Sequence, residues 1–178
     1  MSEEQRVVLV GPRGAGKTTV GALIAHRMGR LLVDTDRLVE EEARQSVTEV
    51  FSKLGEEAFR IKEAEVIARL QDHGGLVIAT GGGAPLLESN RESLARGSFV
   101  VFLDVDAVTA AARLDGDDVE RPRLTGLEPL EEIRTVVAER RPVYSGFADL
   151  VVDASRELEV VVEELAVELR KRGFVVKD

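Results

Sequence analysis

Val7-Val8-Leu9-Val10-Gly11-Pro12-Arg13-Gly14-Ala15-Gly16-Lys17-Thr18-Thr19-Val20-Gly21-Ala22-Leu23-Ile24-Ala25 is the stretch that sets the architecture. Its first four residues are a short apolar run with strand character, and its last six read as the start of a helix. Between them stands Gly, four residues, then Gly-Lys-Thr. That is the full spacing of a phosphate-binding loop, in the strand–turn–helix context that gives the pattern meaning. The glycines allow torsions and close approaches that a Cβ would block. The loop residues Gly11, Gly14, Ala15, Gly16, Lys17, Thr18 and Thr19 can then gather N–H groups on a nucleotide's phosphates, helped by the helix dipole. Lys17 reaches the β- and γ-phosphates, and the Thr18 hydroxyl suits Mg²⁺. A tight turn with an exposed lysine would not require all these fixed positions together.

Beyond this unit the chain alternates. Short β-branched runs at 7–10, 31–33, 76–79, 99–103 and 150–152 have the continuous apolar character of strands buried on both faces. Helical signals separate them. Ser46-Val47-Thr48-Glu49 is a capping box, opening a helix through Leu54. Residues 56–71 place Ala58, Phe59, Ile61, Val66, Ile67 and Leu70 on one side. Pro129 suits the first turn of a helix running to about Arg140. A terminal amphipathic helix spans 156–172 and is stopped by Gly173, with the tail 174–178 unassigned. This alternation predicts an α/β protein, a three-layer domain with a five-stranded parallel sheet flanked by helices.

Composition narrows the function classes. With 178 residues there is room for one domain with a true core. No apolar run approaches the roughly 18 residues that span a bilayer. The polar, acidic start Met1-Ser2-Glu3-Glu4-Gln5 resembles no secretory or transit signal, so a cytoplasmic location is expected. The absence of cysteine excludes disulfides, thiolate metal sites and a cysteine nucleophile. A net charge of −9 disfavours nucleic acid and anionic membranes as partners. Tyr144 and six phenylalanines leave little for base stacking. An anionic ligand must therefore be held by a local gathering of arginine and lysine.

Ligands of parallel α/β sheets sit at the carboxyl ends of the strands. The phosphate loop follows the first strand there, Asp34-Thr35-Asp36 the second, and Thr80-Gly81-Gly82-Gly83 the third. The fourth ends in Asp104 and the fifth in Asp153. The third strand lacks the metal-directed acid that many phosphate-loop proteins place beside the loop. Asp34 is the nearest substitute, and Asp36 would then face a second substrate. The alternative for the pair is a helix cap and a solvated acid. Three successive glycines suit backbone N–H groups brought close to a small ligand, or else a wide turn. Residues 113–126 are polar, charged and glycine-punctuated. Arg113, Arg121 and Arg123 favour a lid over nucleotide rather than a plain surface loop. His26 and His73 are isolated and expected to take no part in catalysis.

The joint pattern resembles the shikimate kinase family over nearly the whole chain. Leu32-Val33-Asp34-Thr35-Asp36 looks like its Asp-Thr-Asp signature, Gly55-Glu56-Glu57-Ala58-Phe59-Arg60 like its Gly-Glu-x-x-Phe-Arg motif, and Gly81-Gly82-Gly83-Ala84 like its glycine turn. Arg121-Pro122-Arg123-Leu124 resembles the lid's Arg-Pro-Leu-Leu, and Arg140-Arg141-Pro142-Val143-Tyr144 the Arg-x-Pro-x-Tyr motif. The resemblance implies a P-loop kinase fold with strand order 2-3-1-4-5. It implies one domain over 1–178, an acceptor-binding region near 34–62 and a lid near 113–126. The implied reaction transfers the ATP γ-phosphoryl group to the 3-hydroxyl of shikimate, in aromatic amino-acid biosynthesis. Asp36, Arg60, the glycines Gly81, Gly82 and Gly83, and Arg140 would then bind shikimate. Lys17, Asp36 and Arg121 would serve the transfer, with Arg113 and Arg121 on ATP. Mg²⁺ would sit on Thr18, with Asp34 acting through water, and the chain would act as a monomer.

Residue chemistry runs parallel to the resemblance. Arg60 and Arg140 suit a carboxylate because guanidinium binds it bidentately, although Arg141 is an alternative to Arg140. Asp36 can orient the attacking hydroxyl. Arg123 departs from the family's leucine, leaving two lid arginines able to read phosphate. Arg13, at the loop tip, has three readings: a phosphate contact, a lid contact or a solvated charge. Three rivals fit the residues less well, one of them an ATP-binding module without transfer activity, against which the intact Lys17, Thr18, Asp34, Asp36 and Arg121 speak. A gluconate-type kinase would give no reason for Arg60, Arg140 and the triple glycine together. A guanine-reading switch would need Asn-Lys-x-Asp, but Asn90 is the only asparagine and Arg91 follows it.

Overall fold

Residues 4–115 and 128–178 are described by the structure, a computed structural model. Strands β1 (Arg6–Val10), β2 (Leu32–Asp34), β3 (Val77–Ala79), β4 (Ser98–Asp104) and β5 (Leu150–Asp153) form one sheet of order β2-β3-β1-β4-β5. Every pairing is parallel, with Val8 of the central β1 opposite Ile78 on one side and Val100 on the other. The sequence expectation of a five-stranded parallel sheet in this order is met. Strand ends differ from it by a residue or so.

Helices cover both faces, which is why the strands read as continuous apolar runs. Val7 and Leu9 face Ile24 of α1 (Lys17–Met28) and Leu165 and Leu169 of α7 (Leu158–Lys171). Val8 and Val10 face the opposite layer. There they meet Ile67 of α3 (Val47–Leu70), Leu94 of α4 (Glu88–Ala95) and Tyr144 of α6 (Pro129–Phe147). Full burial of each such side chain contributes about 1.5–3 kcal/mol. Two further helices flank the ligand edge: α2 (Thr35–Ala43) and α5 (Ala107–Asp115). The tail seats Phe174 and Val176 in the core, and Lys177 N–H donates to the Arg27 carbonyl at 2.9 Å.

Local chemistry explains the elements that matter for the site. Ser46 caps α3 through a reciprocal capping box with Glu49. Gly55 (φ 85, ψ 168) breaks this run into the two helices expected from the sequence. Helix α6 does not end near Arg140 as expected but continues through Pro142 to Phe147. Proline removes one N–H and crowds the carbonyl four residues back, a signal that reads as a stop. Tertiary contacts override it: Tyr144 is fully buried, its ring 5.2 Å from that of Phe102, and its hydroxyl donates to the Gly82 carbonyl at 2.6 Å. Among the described residues no helix is long and apolar enough to cross a membrane.

Candidate active site

The phosphate loop joins β1 to α1 and rests against α5. Gly14 has φ 77, and a Cβ there would lie 2.7 Å from the Ala110 carbonyl oxygen, so only glycine allows this seating. Lys17 Nζ donates to the carbonyls of Gly11 and Pro12, each at 2.8 Å, which places the ammonium across the loop. Thr18 Oγ1 donates to Asp34 Oδ2 at 2.7 Å. The other oxygen of Asp34 accepts the N–H groups of Asp36 (3.0 Å) and Arg37 (3.3 Å), capping α2. Asp34 therefore takes the helix-cap role that the sequence offered as one alternative. It caps α2, and it accepts from the Thr18 hydroxyl, which lies at the mouth of the loop.

In front of the loop lies a cleft of about 390 Å³, bordered by Arg13, Lys17, Thr18, Asp34, Asp36 and Arg113 among others. Arg113 donates to the carbonyls of Gly14 (3.2 Å) and Arg156 (3.3 Å), bridging the loop to the start of α7. Two hard oxygens, the Thr18 hydroxyl and the Asp34 carboxylate, meet at the loop's mouth, the donor chemistry that Mg²⁺ prefers. Among the described residues no three His, Asp or Glu side chains converge to cage a metal. An ion here would therefore depend on phosphate oxygens and water for its remaining ligands.

A second pocket adjoins the cleft. Asp36, Arg60, Glu63, Gly81, Gly83 and Arg140 are among its walls. Its free space is about 30 Å³, room for a water or two rather than a ring-sized acceptor. Arg60 donates to Glu63 Oε2 at 2.8 Å and Glu56 Oε1 at 3.3 Å, and its guanidinium lies 5.3 Å from the Phe59 ring centroid. The charged groups lie directly over two of these glycines, so a side chain there would displace them. A Cβ at Gly81 would strike the Asp36 carboxylate, and one at Gly83 the Arg60 guanidinium. The Gly81 N–H donates to the buried Thr35 hydroxyl at 2.9 Å, pinning the turn to α2. Gly81 therefore lines the pocket with its amide already engaged.

Sequence reasoning missed Glu63. It is fully buried, and its Oε1 has no hydrogen-bond partner among the described residues. Burial pushes its carboxyl above the usual carboxylate range. Arg60 opposes this, Asp36 adds to it, and Arg140 weakly opposes it. The available signal was spacing: Glu63 lies three residues after Arg60, on the face of α3 that carries Phe59, Val66 and Ile67.

The structure brings together Lys17, Thr18, Asp34, Asp36, Arg60, the three glycines and Arg140 around one connected pair of cavities. It separates the two adjacent arginines. Arg140 faces the second pocket, while Arg141 grips Asp104 Oδ1 through Nε (3.0 Å) and Nη2 (2.8 Å). Neither His26 nor His73 borders either cavity. Arg121 and Arg123 lie outside the described residues, as does most of the expected lid at 113–126.

Five parallel strands in this order, with a complete phosphate loop after the central one, define a P-loop kinase. The shikimate kinase family model matches residues 13–170. A protein named shikimate kinase from Symbiobacterium thermophilum is 47% identical over 169 residues, 94% of this chain and 97% of that one. One of the same name from Thermobifida fusca is 44% identical over 175 residues, 97% and 99% of the two chains. The solved shikimate kinase from Acinetobacter baumannii in complex with shikimate superposes with a TM-score of 0.84 at 32% identity, covering 96% of both chains. The chain belongs to the shikimate kinase family and is a phosphotransferase of the kinase class.

Proposed function

We propose that this chain transfers the γ-phosphoryl group of ATP to the 3-hydroxyl of shikimate, giving shikimate 3-phosphate and ADP on the route to aromatic amino acids. The observation that carries this reading is the position of Asp36. Its side chain belongs to both cavities, with Lys17 on the nucleotide side and Arg60 and Arg140 on the other. A small acceptor with one carboxylate and several hydroxyls matches that arrangement. Arg60 and Arg140 supply guanidinium forks for the carboxylate, and Asp36 accepts from a hydroxyl.

In the transfer, the acceptor oxygen bonds to the γ-phosphorus while the bridging bond to the β-phosphate oxygen breaks. Asp36 orients the hydroxyl and takes its proton, which then passes to solvent. Positioning matters more than strong base strength in this chemistry. Lys17 leaves the loop carbonyls and meets the β- and γ-oxygens, offsetting charge that grows during the transfer. Thr18 and Asp34 would hold Mg²⁺, which supplies further charge neutralisation on the phosphates. Arg113 would border the adenosine end. Arg121 is assigned to the phosphates as part of a lid at 113–126, and residues 34–62 to the acceptor-binding region. The small free space of the acceptor pocket means that its walls adjust when a ring-sized acceptor binds.

Measurement of ADP release with ATP, Mg²⁺ and a panel of polyols and hydroxy acids tests the reading. Turnover on shikimate is expected. Turnover on gluconate without turnover on shikimate would overturn it.

A further inference from the structure

We propose that Arg13 is a substrate-contacting residue that holds the phosphoryl group during transfer and then the new phosphate of the product. This inference rests on the reaction proposed above. Three residues border both cavities: Arg13, Asp36 and Gly82. A group passing from nucleotide to acceptor crosses the wall they share. Asp36 is an acid and Gly82 offers only backbone, so Arg13 brings the positive charge to that wall.

The backbone geometry fixes the crossing point. A Cβ on Gly82 would stand 3.5 Å from Arg13 N, 3.6 Å from the Gly11 carbonyl oxygen and 3.7 Å from Pro12 C. The acceptor turn and the tip of the phosphate loop therefore face each other across a gap that a single added carbon would fill. Arg13 is half-buried at this junction.

The local chemistry calls for a cation there. Arg13 occupies one of the four unspecified positions of the Gly-x-x-x-x-Gly-Lys-Thr spacing, so the loop does not need an arginine to form. Its charge lies on the same loop as Lys17, so the loop's mouth carries two cations on the side that phosphate oxygens approach. On the acceptor side, Arg60 is bound to Glu63 and Glu56, and it and Arg140 are suited to a carboxylate. The transfer adds a phosphate carrying about 1.5–2 negative charges. A planar guanidinium at the crossing suits that group's oxygens.

The test compares the affinities of shikimate and shikimate 3-phosphate, by titration calorimetry, for the unaltered chain and for Arg13→Met and Arg13→Lys. The expected result for Arg13→Met is a loss of at least tenfold in affinity for shikimate 3-phosphate, with a change below twofold for shikimate. Its kcat should fall while its KM for shikimate stays near that of the unaltered chain. Lysine at this position should recover part of the lost product affinity. Equal losses for the two ligands, or no loss for either, would overturn the role. Should Arg13→Met fail to fold, as judged by its thermal transition, Arg13→Gln carries the same comparison. Failure of the unaltered chain to phosphorylate shikimate would overturn both the reaction and this role. Turnover by the unaltered chain with product affinity intact in the variant would overturn the role alone.

Discussion

Asp36 occupies the second position of α2, held there because Asp34 caps the helix through the Asp36 N–H. The cap fixes where on the backbone the Asp36 carboxylate starts. Asp36→Asn keeps the size and removes the charge. It should abolish turnover in an ADP-release assay while nucleotide binding, measured by calorimetry, survives; near-normal turnover would remove Asp36 from the chemistry. Glu63 poses a different problem. Its carboxyl is pushed up by burial, so as pH falls the native state takes up this proton before the unfolded chain does. Its contribution is therefore unfavourable when ionised. That penalty fades as pH drops through the raised value towards the ordinary 4.5. Relative to Glu63→Gln, the unaltered chain should gain unfolding free energy over that window, measured by urea titrations at several pH values. The variant should also raise the KM for shikimate, because Arg60 loses its buried anchor. A parallel pH course for both proteins would contradict this account. Asp36, Arg60 and Arg140 were legible because each sits in a short motif whose residues are adjacent in the sequence. Glu63 was not, since a glutamate on a charged helix resembles any solvated acid until the fold buries it.

Elements were legible in proportion to the apolar pattern they carry. Helix α2 was signalled only by the cap alternative at Asp34, since it buries only Thr35 and Val39, and α4 was missed because it buries only Asn90 and Leu94. Neither offers enough periodic positions to stand out from polar loop. The two halves of α3 were both expected, and Gly55 is the reason they are two. Its torsions, φ 85 and ψ 168, fall in a region essentially reserved for glycine. A Cβ there would meet nothing within 4 Å, so space is not the constraint. Gly55→Ala should lower the unfolding free energy by about 1–3 kcal/mol through backbone strain alone. Denaturant titration should show a lower midpoint with an unchanged slope. A loss below about 0.5 kcal/mol would mean the break relaxes into continuous helix without penalty. Because Glu56 and Arg60 begin the second half, the break also sets where the helix bordering the second pocket starts.

The two edges of the sheet divide the labour of the molecule. The carboxyl edge carries every cavity-lining group described above, and its charges are compressed, half-buried and mutually dependent. The amino edge is tied by Arg6 at the start of β1. Arg6 is buried, and its guanidinium donates to the carbonyls of Leu70 (2.7 Å), Ser93 (3.2 Å) and Arg96. These carbonyls close the ends of α3 and α4, where helices leave acceptors unpaired. One side chain thus fastens two helices to the central strand. Burial lowers its pKa, with Asp72 opposing the shift. Gly11 lies five positions after Arg6 along the strand, about 16 Å at roughly 3.3 Å per residue. Arg6→Met keeps the apolar stem and removes the donors. It should lower the unfolding free energy by about 1.5–3 kcal/mol, the range for hydrogen bonds to a charged group. The KM values for ATP and shikimate should stay within twofold of the unaltered chain, since no catalytic group touches Arg6. Unchanged stability would show that water replaces the guanidinium at those helix ends. A rise in either KM would show that the sheet transmits the loosened packing of α3 to Arg60, and the division between its edges would fail.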